Sequence, residues 1–225
     1  AKPEVIYNTA TGFTADTFEQ VTAADPTQII AVNQAVDART KGSLEEIAPT
    51  TVKPNGYEDW QVPWEKQVET IADAVGKKDE GDKLIDDTEK AFEEFRHEHA
   101  ELQDKSAAIV MPYDGKIGLY TEEDGRGQFI EDLGMEIPDA LQGDGGSFFV
   151  DIAPENYAKL NQVDYLFVLD YNGSSDVLKK DKTFQGLDVV KDDRVRYLDT
   201  DTGNAMSMPN PVTIPWAVDK FEEKL

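Results

Sequence analysis

Apolar residues in the first part of the chain are grouped in two short runs, with a stretch of helical spacing between them. The runs cover residues 4–7 (EVIY) and 28–32 (QIIAV), and the amphipathic stretch covers residues 14–23. Short apolar runs are typical of buried strands, whereas apolar positions three and four apart are typical of helices. This order predicts a strand, a helix and a second strand.

The middle of the chain follows helical spacing almost throughout. Five apolar residues recur at this spacing before Gly76 ends the run: Trp64, Val68, Ile71, Ala72 and Val75. A longer amphipathic stretch covers residues 80–102, with apolar residues on one side and abundant charge on the other. We therefore expect a helical connecting segment over residues 63–103, stiffer than a Gly/Ser linker.

In the remainder of the chain, apolar runs of the buried-strand type alternate with helical stretches. The runs are 107–111, 165–169 and 195–198, and the helical stretches are 129–133, 154–160 and 211–225. Strands separated by helices form parallel sheets with right-handed crossovers. The predicted fold class is α/β, with two lobes of parallel-type sheets flanked by helices and joined by a long rigid helix. The predicted parts are 1–62, 63–103 and 104–225.

Charge and composition narrow the range of partners. The 225 residues include 46 Asp+Glu against 22 Lys+Arg, which gives a formal net charge of -24. Such a surface repels phosphates, so we expect no nucleic acid partner. No apolar run approaches the roughly 18 residues of a membrane span. The absence of cysteine excludes disulfides, thiolate metal sites and thiol catalysis.

Enzyme motifs are missing from the sequence. It contains no Gly-x-Ser-x-Gly, no Walker loop and no His-Glu-x-x-His pair. The run 125–127 (GRG) matches only part of a dinucleotide fingerprint, and 199–204 departs from a calcium loop. His97 and His99 lie in a charged helical pattern typical of solvated residues. We name no catalytic residue, no metal ligand and no cofactor, and we expect a protein that is not an enzyme.

Aromatic and methionine side chains follow the predicted strands of the last part of the chain. They are Tyr113, Tyr120, Phe148, Phe149, Met206 and Met208. Because ligands bind outside the carboxyl ends of parallel strands, these residues are expected to line one wall of a ligand cleft. The alternative is that they cap the core beneath the loops.

Six stretches carry a family resemblance: FEQVTAADPTQIIAV, LEEIAPTTV, WEKQVETIADAVGK, RGQFIEDLGMEIP, DIAPENYAKLNQVDYLFVL and FQGLDVVKDDRVRYLD. In their order and spacing the sequence resembles the class III periplasmic-type substrate-binding proteins. These are bilobal receptors that deliver ferric siderophores, haem or cobalamin to ABC importers. Residues 25–28 (DPTQ) stand where the family has Lys-Pro-Asp-Leu. The family's opening strand, helix and strand have no counterpart before Ala1, so we expect an incomplete first lobe, with 1–62 as its remnant.

The resemblance implies roles for individual residues. Glu19 and Glu155 correspond to the glutamates that dock each lobe on the permease, where they steer association. Asn33 and Gln34 would face the cleft from the first lobe, and the wall residues named above would face it from the second. Arg126, at a helix start that favours anions, would meet an oxygen of the ligand. Its alternative role is a salt bridge to a neighbouring acid: Glu122, Glu123 or Asp124.

A ferric siderophore is the expected ligand, bound in the cleft between the lobes and delivered to an ABC-type iron importer. An aromatic wall suits the organic shell around the iron, and a single arginine favours a hydroxamate or mixed chelate over a triscatecholate. Haem is the alternative within the same class, with a tyrosine or methionine as axial ligand. A hydrolase or a structural surface module is the remote alternative. We expect a monomer, outside the cytoplasm, as a cell-surface lipoprotein or a periplasmic protein.

Overall fold

The computed structural model describes residues 12–225, so the predicted strand at 4–7 lies outside the described residues. The chain divides into two compact units, Ala1–Asp82 and Lys83–Leu225. The boundary falls inside a helix, and the three parts predicted from the sequence stay a prediction. Within the described residues, no helix is both long enough and apolar enough to cross a membrane.

From residue 12 onwards, the first unit has two short parallel strands and three helices that lie wholly within it. Its elements are α1 (Ala15–Ala23), β1 (Ile29–Ala31), α2 (Ala38–Glu45), β2 (Thr50–Val52) and α3 (Trp64–Ala74). Strand β1 pairs with β2 in parallel. The side chain of Thr14 accepts a hydrogen bond from the backbone amide of Thr17, which fixes the start of α1. The helix and the strand predicted over residues 14–32 are both confirmed.

The second unit is built on a five-stranded mixed sheet. Its strands are β3 (Ala107–Tyr113), β4 (Lys116–Tyr120), β5 (Phe149–Ile152), β6 (Tyr165–Asp170) and β7 (Val195–Asp199), in the order β5-β4-β3-β6-β7. The predicted α/β class is confirmed, and β3, β6 and β7 are parallel as expected. Strand β4 runs antiparallel to β3 and to β5. Tyr120 and Phe149 were expected to follow the predicted strands, and this placement was wrong, because both residues lie within strands, β4 and β5.

The helices of the second unit lie along both faces of this sheet. They are α5 (Gly125–Asp132), α6 (Asp176–Lys180), α7 (Lys182–Gln185), α8 (Asp188–Lys191), α9 (Thr200–Ser207) and α10 (Thr213–Glu222). Helix α4 (Lys78–Glu98) crosses the unit boundary, and Pro154–Gln162 is a 3-10 helix where the sequence predicted a helix. Met206, which was expected to follow a strand in the cleft wall, lies instead within α9, since this helix extends to Ser207.

Two apolar layers enclose the sheet. On one face, Val110 and Val168 pack with Tyr157, Leu178 and Phe184 from the segments that follow β5 and β6. On the other face, the rings of Phe92, Phe129, Phe167 and Phe221 pack together at centroid distances of 4.5–6.2 Å. The second layer covers the sheet near the start of β3. On the same face, the end of β3 and the start of β5 contribute to the surface described next.

Candidate functional site

The uncovered part of the sheet face carries aromatic and sulfur-containing side chains in register. Met111 is opposite Gly118, and Tyr120 is opposite Phe149 on its other side. Because side chains alternate along a strand, these residues and Tyr113 face the same side of the sheet. Because side chains alternate along each of three paired strands, residues up to about forty positions apart in the sequence lie together on one face of the sheet.

These residues form a concave apolar surface, here called the aromatic basin. It has a volume of about 200 Å³ and is lined by Met111, Tyr113, Gly118, Tyr120, Phe148 and Phe149. Phe148, just before β5, is 44% exposed, so the basin opens to the outside on its side. Exposed aromatic surface of this kind is the usual signature of a binding site for an apolar ligand or partner.

Gly118 forms the floor of the basin. A Cβ atom added there would lie 3.0 Å from Cε1 of Tyr113 and 3.2 Å from Cδ2 of Phe149. Both rings therefore rest against the bare backbone of β4, and their centroids are 6.0 Å apart in an edge-to-face arrangement. The ring of Phe148 continues this surface, 5.2 Å from that of Phe149.

A polar group borders the basin beyond Tyr113. The Tyr113 hydroxyl donates a hydrogen bond to Asp151, and Nζ of Lys116 lies 2.9 Å from the other carboxylate oxygen of Asp151. The hydrogen bond from Tyr113, followed by that from Lys116, lowers the pKa of Asp151. The carboxylate thus holds both the phenol and the ammonium group at the border.

Arg126 supports the basin from behind Tyr120. Its guanidinium carbon lies 3.9 Å from the centroid of the Tyr120 ring. Nη1 donates to both carboxylate oxygens of Asp124, at 2.8 and 2.9 Å, and Nη2 donates to Oγ of Ser207 at 2.7 Å. Nε is buried and has no hydrogen-bond partner among the described residues. Of the three acids that the sequence offered as partners, the structure selects Asp124.

Asp124 also caps the helix that Arg126 begins. Its side chain accepts a hydrogen bond from the backbone amide of Arg126, which places a carboxylate at the start of α5. Burial raises the pKa of the Asp124 carboxyl, although the charge and hydrogen bonds of Arg126 lower it. The favourable position for an anion at this helix start is thus occupied by the protein's own carboxylate.

The two glycines beside Arg126 permit close backbone contacts. A Cβ atom on Gly127 would lie 1.9 Å from the carbonyl oxygen of Thr121. One on Gly125 would lie 2.9 Å from the carbonyl oxygen of Ser207. The GRG run is therefore a packing motif that holds α5 against the end of α9 and against the residue after β4.

The structure places the other predicted site residues as follows. Met206 is fully buried in α9, a position that favours packing, whereas Met208 is 45% exposed. Asn33 and Gln34 are half-buried in the first unit, where Oδ1 of Asn33 accepts a hydrogen bond from the amide of Val62. The structure thus brings together Tyr113, Tyr120, Phe148 and Phe149, with Arg126 behind them. Their roles as ligand contacts stay predictions.

Three residues of this surface were missed by sequence reasoning: Met111, Gly118 and Asp151. The signal that could have found them is Asp114-Gly115, which has φ angles of 45° and 74° and forms a two-residue hairpin turn. An Asp-Gly pair between apolar runs predicts a hairpin. Recognition of β4 would have placed Gly118 opposite Met111.

Comparison with known proteins decides the family. A model of the periplasmic binding protein family matches residues 7–202, most of the chain. The chain belongs to the periplasmic binding protein family. The resemblance seen in the sequence is thereby confirmed. A search of the curated proteins found no significant match.

Solved structures of periplasmic binding proteins share the fold. The iron uptake ABC transporter substrate-binding protein PiaA of Streptococcus pneumoniae TIGR4 has a TM-score of 0.79 and 24% identity, over 96% of this chain and 75% of that chain. PiaA in complex with ferrichrome has a TM-score of 0.80 and 23% identity, over 96% of this chain and 73% of that chain. Staphylococcus aureus SirA complexed with staphyloferrin B has a TM-score of 0.71 and 21% identity, over 92% of this chain and 74% of that chain. At these identities the similarity supports the fold.

Proposed function

We propose that the protein is an extracytoplasmic receptor that binds a ferric siderophore on the aromatic basin and delivers it to an ABC-type iron importer. The observation that carries this proposal is the basin itself, an open apolar face of the sheet in a chain of the periplasmic binding protein family. The complexes of PiaA with ferrichrome and of SirA with staphyloferrin B support the choice of ligand class.

The charges around the basin favour a chelate of low net charge. The basin is lined by uncharged side chains, and each nearby cation is paired: Arg126 with Asp124, and Lys116 with Asp151. A triscatecholate would bring several negative charges to a protein whose formal net charge is -24. A ferric hydroxamate presents an almost neutral organic shell, and its apolar parts can cover the aromatic rings.

Haem is less well supported by this geometry. Axial ligation by tyrosine requires the phenolate, and the hydrogen bond to Asp151 raises the pKa of Tyr113 while burial raises that of Tyr120. Met206, another candidate ligand, is fully buried. We therefore favour the hydroxamate chelate and keep haem as one arm of the test.

The test is isothermal titration calorimetry of the intact protein against ferrichrome, a ferric triscatecholate, iron-free ferrichrome and haem. We expect saturable one-to-one binding of ferrichrome, at least tenfold tighter than that of the catecholate. A Soret band on addition of haem, together with no heat from ferrichrome, would replace the siderophore with haem. If none of these compounds binds, the receptor proposal is wrong.

Delivery to the importer is tested separately through Glu19 and Glu155. Both side chains are exposed, one on α1 and one in the 3-10 helix after β5. We propose that they dock on the permease, so the double variant Glu19→Arg/Glu155→Arg should bind ferrichrome normally but fail to support uptake. Glu45 and Glu58 are also exposed and provide the charge-matched controls. Glu58→Arg is the control for a single change, and Glu45→Arg/Glu58→Arg is the control for the double docking variant. Uptake by the double docking variant at the rate of that control would refute the docking assignment.

A further inference from the structure

Tyr113 is held in one position by contacts on two sides. From below, the bare backbone of Gly118 leaves room for its ring, with Cε1 only 3.0 Å from the position that a Cβ atom would take. From β5, on the far side of β4, the carboxylate of Asp151 accepts the hydrogen bond of its hydroxyl. Since Gly118 and Asp151 are opposite each other in register, the two contacts act on the same ring.

The position of this ring determines the shape of the basin. With the ring against β4, Tyr113 meets Phe149 edge to face at a centroid distance of 6.0 Å, and the two rings stand at an angle to each other above Gly118. A side chain at position 118 would lift both rings, and a free hydroxyl would let Tyr113 leave the floor. Either change alters the surface of the basin even when no ligand is bound.

We propose that Asp151 is a positioning residue which, with Gly118, fixes the ring of Tyr113 and so determines which chelates fit the basin. This inference rests on the proposed function, because the ligand that reports on it is the ferric chelate. Asp151 acts through Tyr113, and Lys116 contributes only by pairing with Asp151 at 2.9 Å. The chemistry selected is a compact, weakly charged chelate whose organic shell packs into the angle between the two rings.

A double-mutant cycle tests the action of Asp151 through Tyr113. The affinity for ferrichrome is measured for wild type, Tyr113→Phe, Asp151→Ala and the double variant. Each single change removes one partner of the same hydrogen bond, so each should weaken binding about three- to tenfold, and the double variant no further. Asp151→Asn keeps an acceptor and should stay within about twofold of wild type, as should Lys220→Met, which breaks an ion pair outside the basin. Additive losses, or equal losses in Asp151→Asn and Asp151→Ala, would overturn the proposal.

A second pair of variants tests the floor. Gly118→Ala should weaken ferrichrome binding by about threefold or more, because Tyr113 and Phe149 must both move. Gly42→Ala is the matched control, since nothing lies within 4 Å of a Cβ atom added at Gly42. If Gly118→Ala binds ferrichrome as tightly as Gly42→Ala does, the proposed role of Gly118 as the floor of the basin is contradicted.

A measurement without ligand separates this inference from the proposed function. In protein labelled with ¹³C-tyrosine, the resonance missing from Tyr113→Phe identifies Tyr113, and its titration reports the phenol. The hydrogen bond to Asp151 raises the pKa of Tyr113, so Asp151→Ala should lower the titration midpoint while Lys116→Met should not. If the titration midpoint of Tyr113 is unchanged in Asp151→Ala, the hydrogen bond between Tyr113 and Asp151 is refuted, even if ferrichrome binds. A lowered midpoint in a protein that binds no chelate would refute only the receptor function.

Discussion

The guanidinium carbon of Arg126 lies 3.9 Å from the centre of the Tyr120 ring, and the same guanidinium is bonded to Asp124. One cation thus joins the start of α5 to a wall of the aromatic basin. A third bond, to Ser207, adds the end of α9. The lone arginine of an acidic stretch is therefore part of the framework that holds Tyr120 in place.

Replacement of Arg126 by methionine should strongly destabilise the protein. The change leaves the carboxylate of Asp124, whose side chain is only 13% exposed, without its counter-charge, and loss of one partner of such a pair costs up to about 3–5 kcal/mol. The measurement is the free energy of unfolding in urea. The double variant Asp124→Asn/Arg126→Met removes both charges and keeps a helix-capping side chain, so it should recover much of the loss. Equal destabilisation in the two variants would contradict the pairing.

Replacement of Gly127 by alanine should also destabilise the protein, by about 2–3 kcal/mol. The added Cβ atom would lie 1.9 Å from a backbone oxygen of Thr121, so the start of α5 has to move. Urea unfolding measures the loss. Gly42→Ala serves as the control and should be neutral or slightly stabilising, because alanine is the better helix residue. Wild-type stability of Gly127→Ala would show that α5 can shift freely.

The free energy of unfolding should depend on pH through His99. Burial lowers the pKa of His99, but hydrogen bonds from its ring to Glu222 and Glu101 outweigh burial and raise it above its ordinary value. The charged form is therefore favoured in the folded state. Its stabilisation is complete below the unfolded pKa of about 6.5 and is lost as the pH rises through the folded pKa.

The comparison of wild type with His99→Gln isolates this effect. The difference in free energy of unfolding should be about 0.5–1 kcal/mol near pH 6 and should shrink towards pH 8.5. A difference that is constant between pH 6 and pH 8.5 would exclude the ion pairs of His99 as its source.

The large negative charge should make the stability of the protein dependent on salt. A formal net charge of -24 opposes the compact state through self-repulsion. Because the Debye length falls from about 10 Å at 0.1 M to about 3 Å at 1 M, KCl should raise Tm by roughly 4 °C or more over this range. At pH 4.8, nearer the isoelectric point of 4.3, the increase should be smaller. A Tm that is unchanged or lower in 1 M KCl at pH 7 would contradict this.

Part of the fold was predictable because some strands have an unmistakable pattern. Strands β3 and β6 are continuous apolar runs, AAIVM and YLFVL, and both were placed correctly. Strands β4 and β5 were missed because Gly118 and Asp151 interrupt the apolar pattern on the exposed face. The residues that hide these strands from sequence reasoning are the same ones that form the floor and the border of the basin.

The candidate site was predictable to a similar degree. Four aromatic residues chosen from the sequence lie on the basin, since rings near strand ends tend to gather at one edge of a sheet. The partner of Arg126 could not be chosen, because Glu122, Glu123 and Asp124 all lie within four residues of it in the sequence. Only the turn before α5 directs Asp124 inward. Met206 is buried because α9 extends to the next residue and turns this side chain towards the core.

The most direct test of the central claim is equilibrium dialysis of ⁵⁵Fe-ferrichrome against wild type, Phe148→Asp and Val177→Asp. Phe148 is on the basin and 44% exposed, whereas Val177 is 62% exposed on α6, outside the basin, so both changes add the same charge at an exposed apolar position. We predict one chelate per chain for wild type and Val177→Asp, with binding at least tenfold weaker in Phe148→Asp. Retention of ferrichrome by Phe148→Asp as strong as by Val177→Asp would contradict binding on the aromatic basin.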